Sequence, residues 1–370
     1  MLRVMMLATD LQRGGLPLRL TRLANRLRAV EVEPIVGCLA PPGPLSSWLE
    51  AAGIETFACG ARGPRDLGCL GRLAEHLRRI RPDVIHSSLF HANLAARLVG
   101  RLDRPRPIIT STVTIEIERP WHWWGEALTA GWSDWHVANS AAVAEHVRTD
   151  LGFPRQRVVV ISNGVDVEEL DRAPPIDRGA FGLTEGVPLV AWAGRMDPVK
   201  GLKTFVDVIV QVRRSMPVQA VLLGDGPERP RVARWIREAG LDGVIRMALW
   251  SEDVPAWLKT ADALLFPSRT EGSPNVVLEA MVCGCPVVAS DLPATRELID
   301  DGVDGLLRGA GRAAEFSEAL VRVLADQELR TRVIPKARER VVRRHAMGRA
   351  VAEWGDLYVR SMGGGPITFG

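Results

Sequence analysis

Residues Arg3 to Leu39 read RVMMLATDLQRGGLPLRLTRLANRLRAVEVEPIVGCL, and the order of patterns in this stretch decides the fold. Arg3 to Ala8 is an apolar run of strand length. Gly15 to Ala29 then places Leu16, Leu20, Leu23 and Leu27 at helical spacing, and Glu33 to Leu39 reads as a second strand. Strand, helix and strand joined by short turns make a βαβ unit, whose two strands lie parallel because the helix carries the chain back across one face.

Outward from this unit the alternation continues. Strand patterns recur at Ile54 to Phe57, Asp83 to His86, Ile108 to Thr110, His136 to Ala138 and Arg157 to Ile161, with helical patterns between them. Asn163 to Pro188 breaks the rhythm with Asn-Gly, adjacent prolines and several acidic residues, a composition suited to a connection. Strands restart at Leu189 to Ala193, Val218 to Leu223, Val244 to Leu249, Ala263 to Phe266 and Pro286 to Ala289, again with helices following. From Arg312 to Arg360 the pattern is nearly all helical, long enough to pack on the second domain and return to the first. The expected class is α/β with two Rossmann-like domains. The first covers 1–165, a linker 166–188, the second domain 189–345, and a returning helix and tail 346–370. The length of 370 residues agrees, since one ordinary core rarely exceeds about 250–300 residues.

Composition narrows the class. With 46% hydrophobic and 25% charged residues the chain is of globular type. No apolar run approaches the roughly 20 residues that span a bilayer, and MLRVMMLATD enters a strand where a secretory signal has a basic region and cleavage site. A cytoplasmic protein, at most peripheral to the inner face of the cell membrane, is expected. Cys38, Cys59, Cys69, Cys283 and Cys285 fit neither a zinc knuckle nor a C-x-x-C motif, and read as small buried apolar residues. Residues 1–162 carry 20 arginines against 15 acidic residues. A basic half suits an anionic membrane or an acidic acceptor, although solvated arginines on helix backs account for it as well. Without a dense Lys/Arg run or a stacking platform, nucleic acid is not an expected partner.

Candidate chemistry gathers where strands end. Gly14-Gly15 lies between the first strand and first helix, where bare backbone amides can meet a phosphate; a structural turn is the alternative. It is not the dinucleotide fingerprint, for the loop lacks G-x-G-x-x-G and no acidic residue follows the second strand, which disfavours a nicotinamide-dependent oxidoreductase. After the strand LVAWA, Arg195 and Lys200 place two cations that suit a pyrophosphate as well as surface salt bridges. Gly224 and Trp250 follow the next two strands on the same edge. The richest segment is Glu271-Gly272-Ser273-Pro274-Asn275-Val276-Val277-Leu278-Glu279, a loop that turns into a helix. Glu271 on the loop and Glu279 in the helix can each accept hydrogen bonds from vicinal hydroxyls, one from a sugar and one from a ribose. Gly272, Ser273 and Pro274 leave the amides of Asn275 and Val276 at a helix start, with Ser273 as a cap in the plainer reading.

GRMDPVKG, LLGDGPE, PSRTEGSPNVVLEAM, PVVASD and RELIDDGVDGLL, in this order, resemble glycosyltransferase family 4 of the GT-B fold. DLQRGG, RPDVIHSSLFHANLAARL, VANSAAVAEHV and VISNGVD extend a weaker similarity over the first half. The resemblance implies two domains facing each other across a cleft. It assigns Arg195 and Lys200 to the donor pyrophosphate, Glu271 to the transferred sugar, Glu279 to the ribose, Gly15 to a phosphate, and Asn275 and Val276 as amide donors. It further implies a retaining, metal-independent hexosyl transfer with no cofactor beyond a UDP- or GDP-linked sugar. The implied acceptor is a hydroxyl of a glycan, glycolipid or lipid-linked molecule in envelope polysaccharide synthesis. The chain departs from the family after ITSTVT, where many relatives carry a histidine and this sequence offers Thr114 or Glu116. His91 and His86 are the substitutes to test, and the missing histidine leaves a silent nucleotide-sugar-binding scaffold as the alternative. Leu292-Pro293-Ala294 also replaces the family's glycine pair. Trp121, His122, Trp123 and Trp124 crowd the region after the altered strand; core packing is the expectation, and an acceptor or lipid contact the alternative.

Overall fold

The leucines of the first helix explain how the fold begins: Leu20, Leu23, Ala24 and Leu27 recur at helical spacing and are buried on one face. The computed structural model describes all residues except 13, 64, 103, 115–119, 250–252 and 364–370. It divides into two units, Met1–Gly164 with the chain from Met347 onward, and Val165–Ala346.

The first unit alternates β1 (Leu2–Ala8), α1 (Gly15–Leu27), β2 (Val32–Cys38), α2 (Pro44–Ala51), β3 (Glu55–Ala58), α3 (Gly68–Ile80), β4 (Val84–Ser88) and α4 (Phe90–Val99). It goes on with β5 (Ile108–Thr112), α5 (Pro120–Thr129), β6 (Trp135–Ala138), α6 (Ala141–Thr149) and β7 (Val158–Val160). The sheet order is β3-β2-β1-β4-β5-β6-β7 with every pairing parallel. In β1 alternate residues serve opposite faces: Val4, Met6 and Ala8 join one core, Met5 and Leu7 the other. A strand buried on both sides therefore reads as unbroken apolar sequence.

The second unit holds α7 (Val167–Arg172), β8 (Leu189–Ala193), α8 (Leu202–Val212), β9 (Gln219–Leu223), α9 (Arg229–Glu238), β10 (Ile245–Ala248), α10 (Val254–Thr260) and β11 (Ala263–Phe266). Then come α11 (Asn275–Val282), β12 (Val287–Ser290), α12 (Pro293–Arg296), β13 (Leu306–Arg308), α13 (Ala313–Ala325) and α14 (Gln327–Arg344). Its order is β10-β9-β8-β11-β12-β13, also parallel throughout. Strand β13 had no counterpart in the sequence reading. Its three residues, between DDGVDG and GAG, are too few to show a period. Residues 166–188 are ordered on this unit: Asp166 caps α7 by accepting from the Glu169 amide at 3.1 Å, and Leu170 and Leu183 enter the core.

The last helix, α15 (Met347–Gly363), belongs to the first unit. Met347, Val351, Trp354, Leu357 and Tyr358 form its buried stripe within the same core as Leu20 and Val36. The five cysteines are free; four are buried and Cys283 half-buried. Burial pushes the thiols of Cys38, Cys59 and Cys283 up to about 12, so they stay protonated. Among the described residues no helix is long and apolar enough to cross a membrane.

Candidate donor and acceptor sites

In each sheet the strand order reverses once, between β1 and β4 and between β8 and β11. The chain leaves neighbouring strands in opposite directions at such a point, opening a crevice at their carboxyl ends where α/β proteins bind ligands. Gly14, Gly15 and His91 lie on the loops or helix starts after β1 and β4, and Arg195, Lys200 and Glu271 on the loops after β8 and β11, while Thr114 follows β5 and Gly224 follows β9.

In the second unit the loop after β8 carries Arg195 and Lys200, and the loop after β11 carries Glu271. Lys200 Nζ donates to Glu271 Oε1 at 2.8 Å and to Oε2 at 3.0 Å. The lysine side chain is 22% exposed and the carboxylate 8%. Gly201 makes this meeting possible. It has φ +67°, and a Cβ there would lie 1.9 Å from the Pro267 carbonyl oxygen, so only glycine lets the two loops close. The Arg269 amide adds a bond to the Val199 carbonyl at 2.8 Å.

The β9 loop is braced against the same β8 loop. Gly194 N donates to Leu223 O at 3.0 Å, Met196 N to Asp225 O at 2.8 Å, and Glu228 N to Met196 O at 2.9 Å. A Cβ on Gly224 would sit 1.9 Å from the Gly194 carbonyl oxygen. Gly224 is thus explained by loop packing before any ligand is invoked. Arg195 does not join the Lys200–Glu271 pair: its Nε faces Asp197 Oδ1 at 3.2 Å and its side chain is largely exposed.

Helix α11 starts at Asn275 with Pro274 as the flanking residue and no side-chain cap, so Ser273 is not the cap residue. Pro274 is itself extended, with φ −75° and ψ 107°, and so takes the cap position one residue on from Ser273. Asn275 and Val276 open α11 a few residues beyond Glu271, so their amides lie at the helix N-terminus. Gly272 is buried in that loop, and Glu279 lies within α11, half-buried. Trp250 lies outside the described residues.

In the first unit Gly14 flanks α1 in extended conformation and Gly15 begins the helix. A Cβ on Gly15 would meet nothing within 4 Å, so the fold itself does not demand glycine there. The turn after β4 is different. Leu89 has φ 72° and ψ 158°, a region a branched side chain enters only with strain of about 1–3 kcal/mol. That turn delivers Phe90 and His91 to the start of α4. Phe90 stacks on His122 at 4.1 Å between ring centroids, and His91 lies 5.2 Å from His122 and 6.2 Å from Trp121. His91 is half-buried within this aromatic group, and Thr114 is half-buried two residues past the end of β5. Glu116 lies outside the described residues.

His86 is not a site residue. It is buried, stacks on Trp354 at 4.2 Å and shares a 2.8 Å hydrogen bond between Nδ1 and the Tyr358 hydroxyl. Burial, then the Arg19 charge, lowers its pKa to about 3. The core placement expected of this aromatic group holds for buried His122 and for Trp123, which packs half-buried against a core cluster, and fails for Trp121 and Trp124, which are exposed, because α5 turns its polar residues inward. Sequence reading missed the reason, a buried pair in which Arg97 Nη1 meets Glu126 Oε2 at 2.5 Å. The signal was available in two charged residues at positions where α4 and α5 should show apolar faces.

Two parallel α/β units, each with polar groups at the switch point of its sheet, define the GT-B class of nucleotide-sugar enzymes. Family models agree: Glycosyltransferase Family 4 matches residues 13–169, and Glycosyl transferases group 1 matches residues 187–326. The chain belongs to this glycosyltransferase family. Among curated relatives, the lipopolysaccharide core biosynthesis glycosyltransferase LpsE of Rhizobium meliloti is 32% identical over 210 residues, 57% of this chain and 59% of that protein. A D-inositol 3-phosphate glycosyltransferase of Xylanimonas cellulosilytica is 31% identical over 64% of this chain and 59% of its own length. The matches thus span less than two thirds of these relatives. Among solved structures, Anabaena HepE in complex with UDP-glucose superposes with TM-score 0.85 at 21% identity, over 97% of this chain and 100% of that one. A glycosyltransferase from Rickettsia africae gives 0.84 at 16% identity over 98% of each chain. Both show the shared fold.

Proposed function

We propose that the chain transfers a hexose-type sugar, with retention, from a UDP- or GDP-linked donor to a hydroxyl of a glycan, glycolipid or lipid-linked acceptor in envelope polysaccharide synthesis. The Lys200–Glu271 contact at the switch point of the second sheet carries the reading. An ammonium has three N–H donors. Two hold the Glu271 carboxylate in place to accept from sugar hydroxyls, and the third remains for a phosphate oxygen. Arg195, mostly exposed, adds a planar fork for the diphosphate. Asn275 and Val276 offer amides at the α11 start, and Glu279 a carboxylate for the ribose. HepE and the lipopolysaccharide relative support a nucleotide-sugar donor and a glycan acceptor.

The reaction breaks the bond between the anomeric carbon and the leaving diphosphate oxygen and forms one to the acceptor oxygen on the same face. The acceptor proton passes to the departing phosphate. Charge that develops on the diphosphate is met by Arg195 and Lys200, with no metal or cofactor required in this scheme. Membrane-side acceptors put the protein in the cytoplasm at the inner membrane face.

Arg195→Ala and Lys200→Ala should each lower turnover by about a hundredfold or more, as loss of an electrostatic donor in the transition state does. Calorimetry with UDP-glucose and with GDP-mannose identifies the base, and acceptor-free donor hydrolysis separates an enzyme from a silent binding scaffold. Undiminished turnover in both variants rules out the proposed roles.

A further inference from the structure

Helix α5 and the turn after it are inside out. From Trp121 to Trp132 the exposed residues are Trp121, Trp124, Ala127, Leu128, Gly131 and Trp132. None is charged, in a chain of which a quarter is. The polar residues of the same segment point inward: His122, Glu126 and Thr129 are buried, as is Ser133 just beyond. Surface helices of soluble proteins show the opposite arrangement.

The reversal is fixed by the interior. Arg97 Nη1 donates to Glu126 Oε2 at 2.5 Å and to Thr129 Oγ1 at 2.9 Å, and Arg97 Nε donates to Ser133 Oγ at 2.7 Å. Asn93 Nδ2 reaches Glu126 Oε1 at 3.1 Å. To roll the stripe inward the helix would have to expose its aromatic partners and leave a buried guanidinium unpaired. Gly125 tightens the packing: a Cβ there would come within 2.7 Å of the Phe90 ring. The apolar face is therefore held toward the outside.

We propose that this face is a bilayer-interface contact, lying in the plane of an anionic membrane with Trp121, Trp124, Leu128 and Trp132 at the boundary between headgroups and acyl chains. These four side chains are 57%, 73%, 78% and 48% exposed. Trp121, Trp124 and Leu128 recur at helical spacing in α5, and Trp132 follows in the turn after it. Three of the four are indoles, whose apolar rings and single N–H suit the headgroup level better than either water or hydrocarbon.

Charge agrees. Exposed Arg157 stands where the stripe ends, its Nη1 donating to the Ser133 carbonyl at 3.3 Å, while the charge of neighbouring Arg101 is met by Asp134 at 2.5 Å. Residues 1–162 as a whole carry an excess of arginine over acidic residues, which favours an anionic surface. A second copy of the chain fits less well. Four large side chains exposed to this degree present roughly 600 Å², against about 800 Å² per partner in a stable protein interface.

The inference deepens the reading of a lipid-linked acceptor, but its test needs neither donor nor acceptor. Flotation of the full chain with vesicles of equal parts phosphatidylglycerol and phosphatidylethanolamine should carry the protein up the gradient. A variant combining Trp124→Ser, Leu128→Ser and Trp132→Ser should partition roughly a hundredfold more weakly, with unchanged circular dichroism and unchanged acceptor-free donor hydrolysis. Should the variant misfold, lipids brominated along the acyl chain should still quench tryptophan fluorescence of the natural protein. A natural protein that neither floats nor is quenched overturns the inference. So does a variant that floats as well as the natural chain, or one that only loses self-association in sedimentation velocity.

Discussion

At the scale of single residues, charge and burial decide what each side chain can do. Lys200 and Glu271 are 71 positions apart in sequence. Their types were legible as a cation and a carboxylate at strand ends, while their bond depended on Gly201 letting two loops meet, which no spacing rule reveals. His86 shows the reverse case: near the right strand end, yet sealed in the core. Its pKa is lowered to about 3, while an unfolded chain restores the ordinary value of 6.5. Below that value the unfolded state binds a proton the folded state refuses. The stability contributed by the neutral ring is thus complete above pH 6.5 and is lost as pH falls toward 3. Between pH 7 and pH 5 this amounts to about 2 kcal/mol. Urea unfolding at those two pH values should show the loss, and His86→Phe, which keeps a ring against Trp354, should reduce it. The same pH difference in the variant and the natural chain would show that His86 is not its source.

At the scale of elements, strand-helix alternation made both sheets legible, because strands buried on both faces are apolar throughout and the helices between them keep a single apolar stripe. What escaped were β13, too short for a period, and the orientation of α5. Tryptophan counts as apolar wherever it sits, so PWHWWGEALT gives no hint of which face is inside until Glu126 is seen to meet Arg97. That pair makes its own prediction. Arg97 is fully buried at the side chain, and desolvation lowers its pKa against the pull of Glu126. Glu126→Ala leaves the guanidinium without its carboxylate and should destabilise the first unit by about 3–5 kcal/mol. Replacing both residues by leucine should cost much less, since no charge is then stranded. Chemical unfolding of the three proteins checks this; equal losses in the single and double variants would mean that packing, rather than the buried charge, sets the effect.

At the scale of the whole molecule, the chain leaves its first unit at Gly164, builds the second, and comes back at Met347 to finish the first. The sequence showed a break near Asn163 and a long helical end returning to the first domain, but which apolar surface of that domain the last helix covers could not be read from it, because an amphipathic stripe fits any apolar face. The structure gives that stripe a definite place. Met347, Val351, Trp354, Leu357 and Tyr358 pack into the core that also holds Val4, Leu20 and Val36, Tyr358 bonds His86, and the Cβ that Gly355 lacks would come 2.9 Å from Val30. No described residue of α15 belongs to the core of the second unit, which runs from Val165 to Val341 within one continuous segment. The two units should therefore respond oppositely to truncation. Residues 165–346 expressed alone should unfold cooperatively in urea. Residues 1–346 should keep that transition and lose the one belonging to the first unit, since five large side chains leave its core, at roughly 1.5–3 kcal/mol each, against a typical domain stability of 5–15 kcal/mol. Hydrogen exchange followed by mass spectrometry reads both units at once. Protection of β1 and β4 that survives the truncation would show that α15 covers the first unit without holding it together.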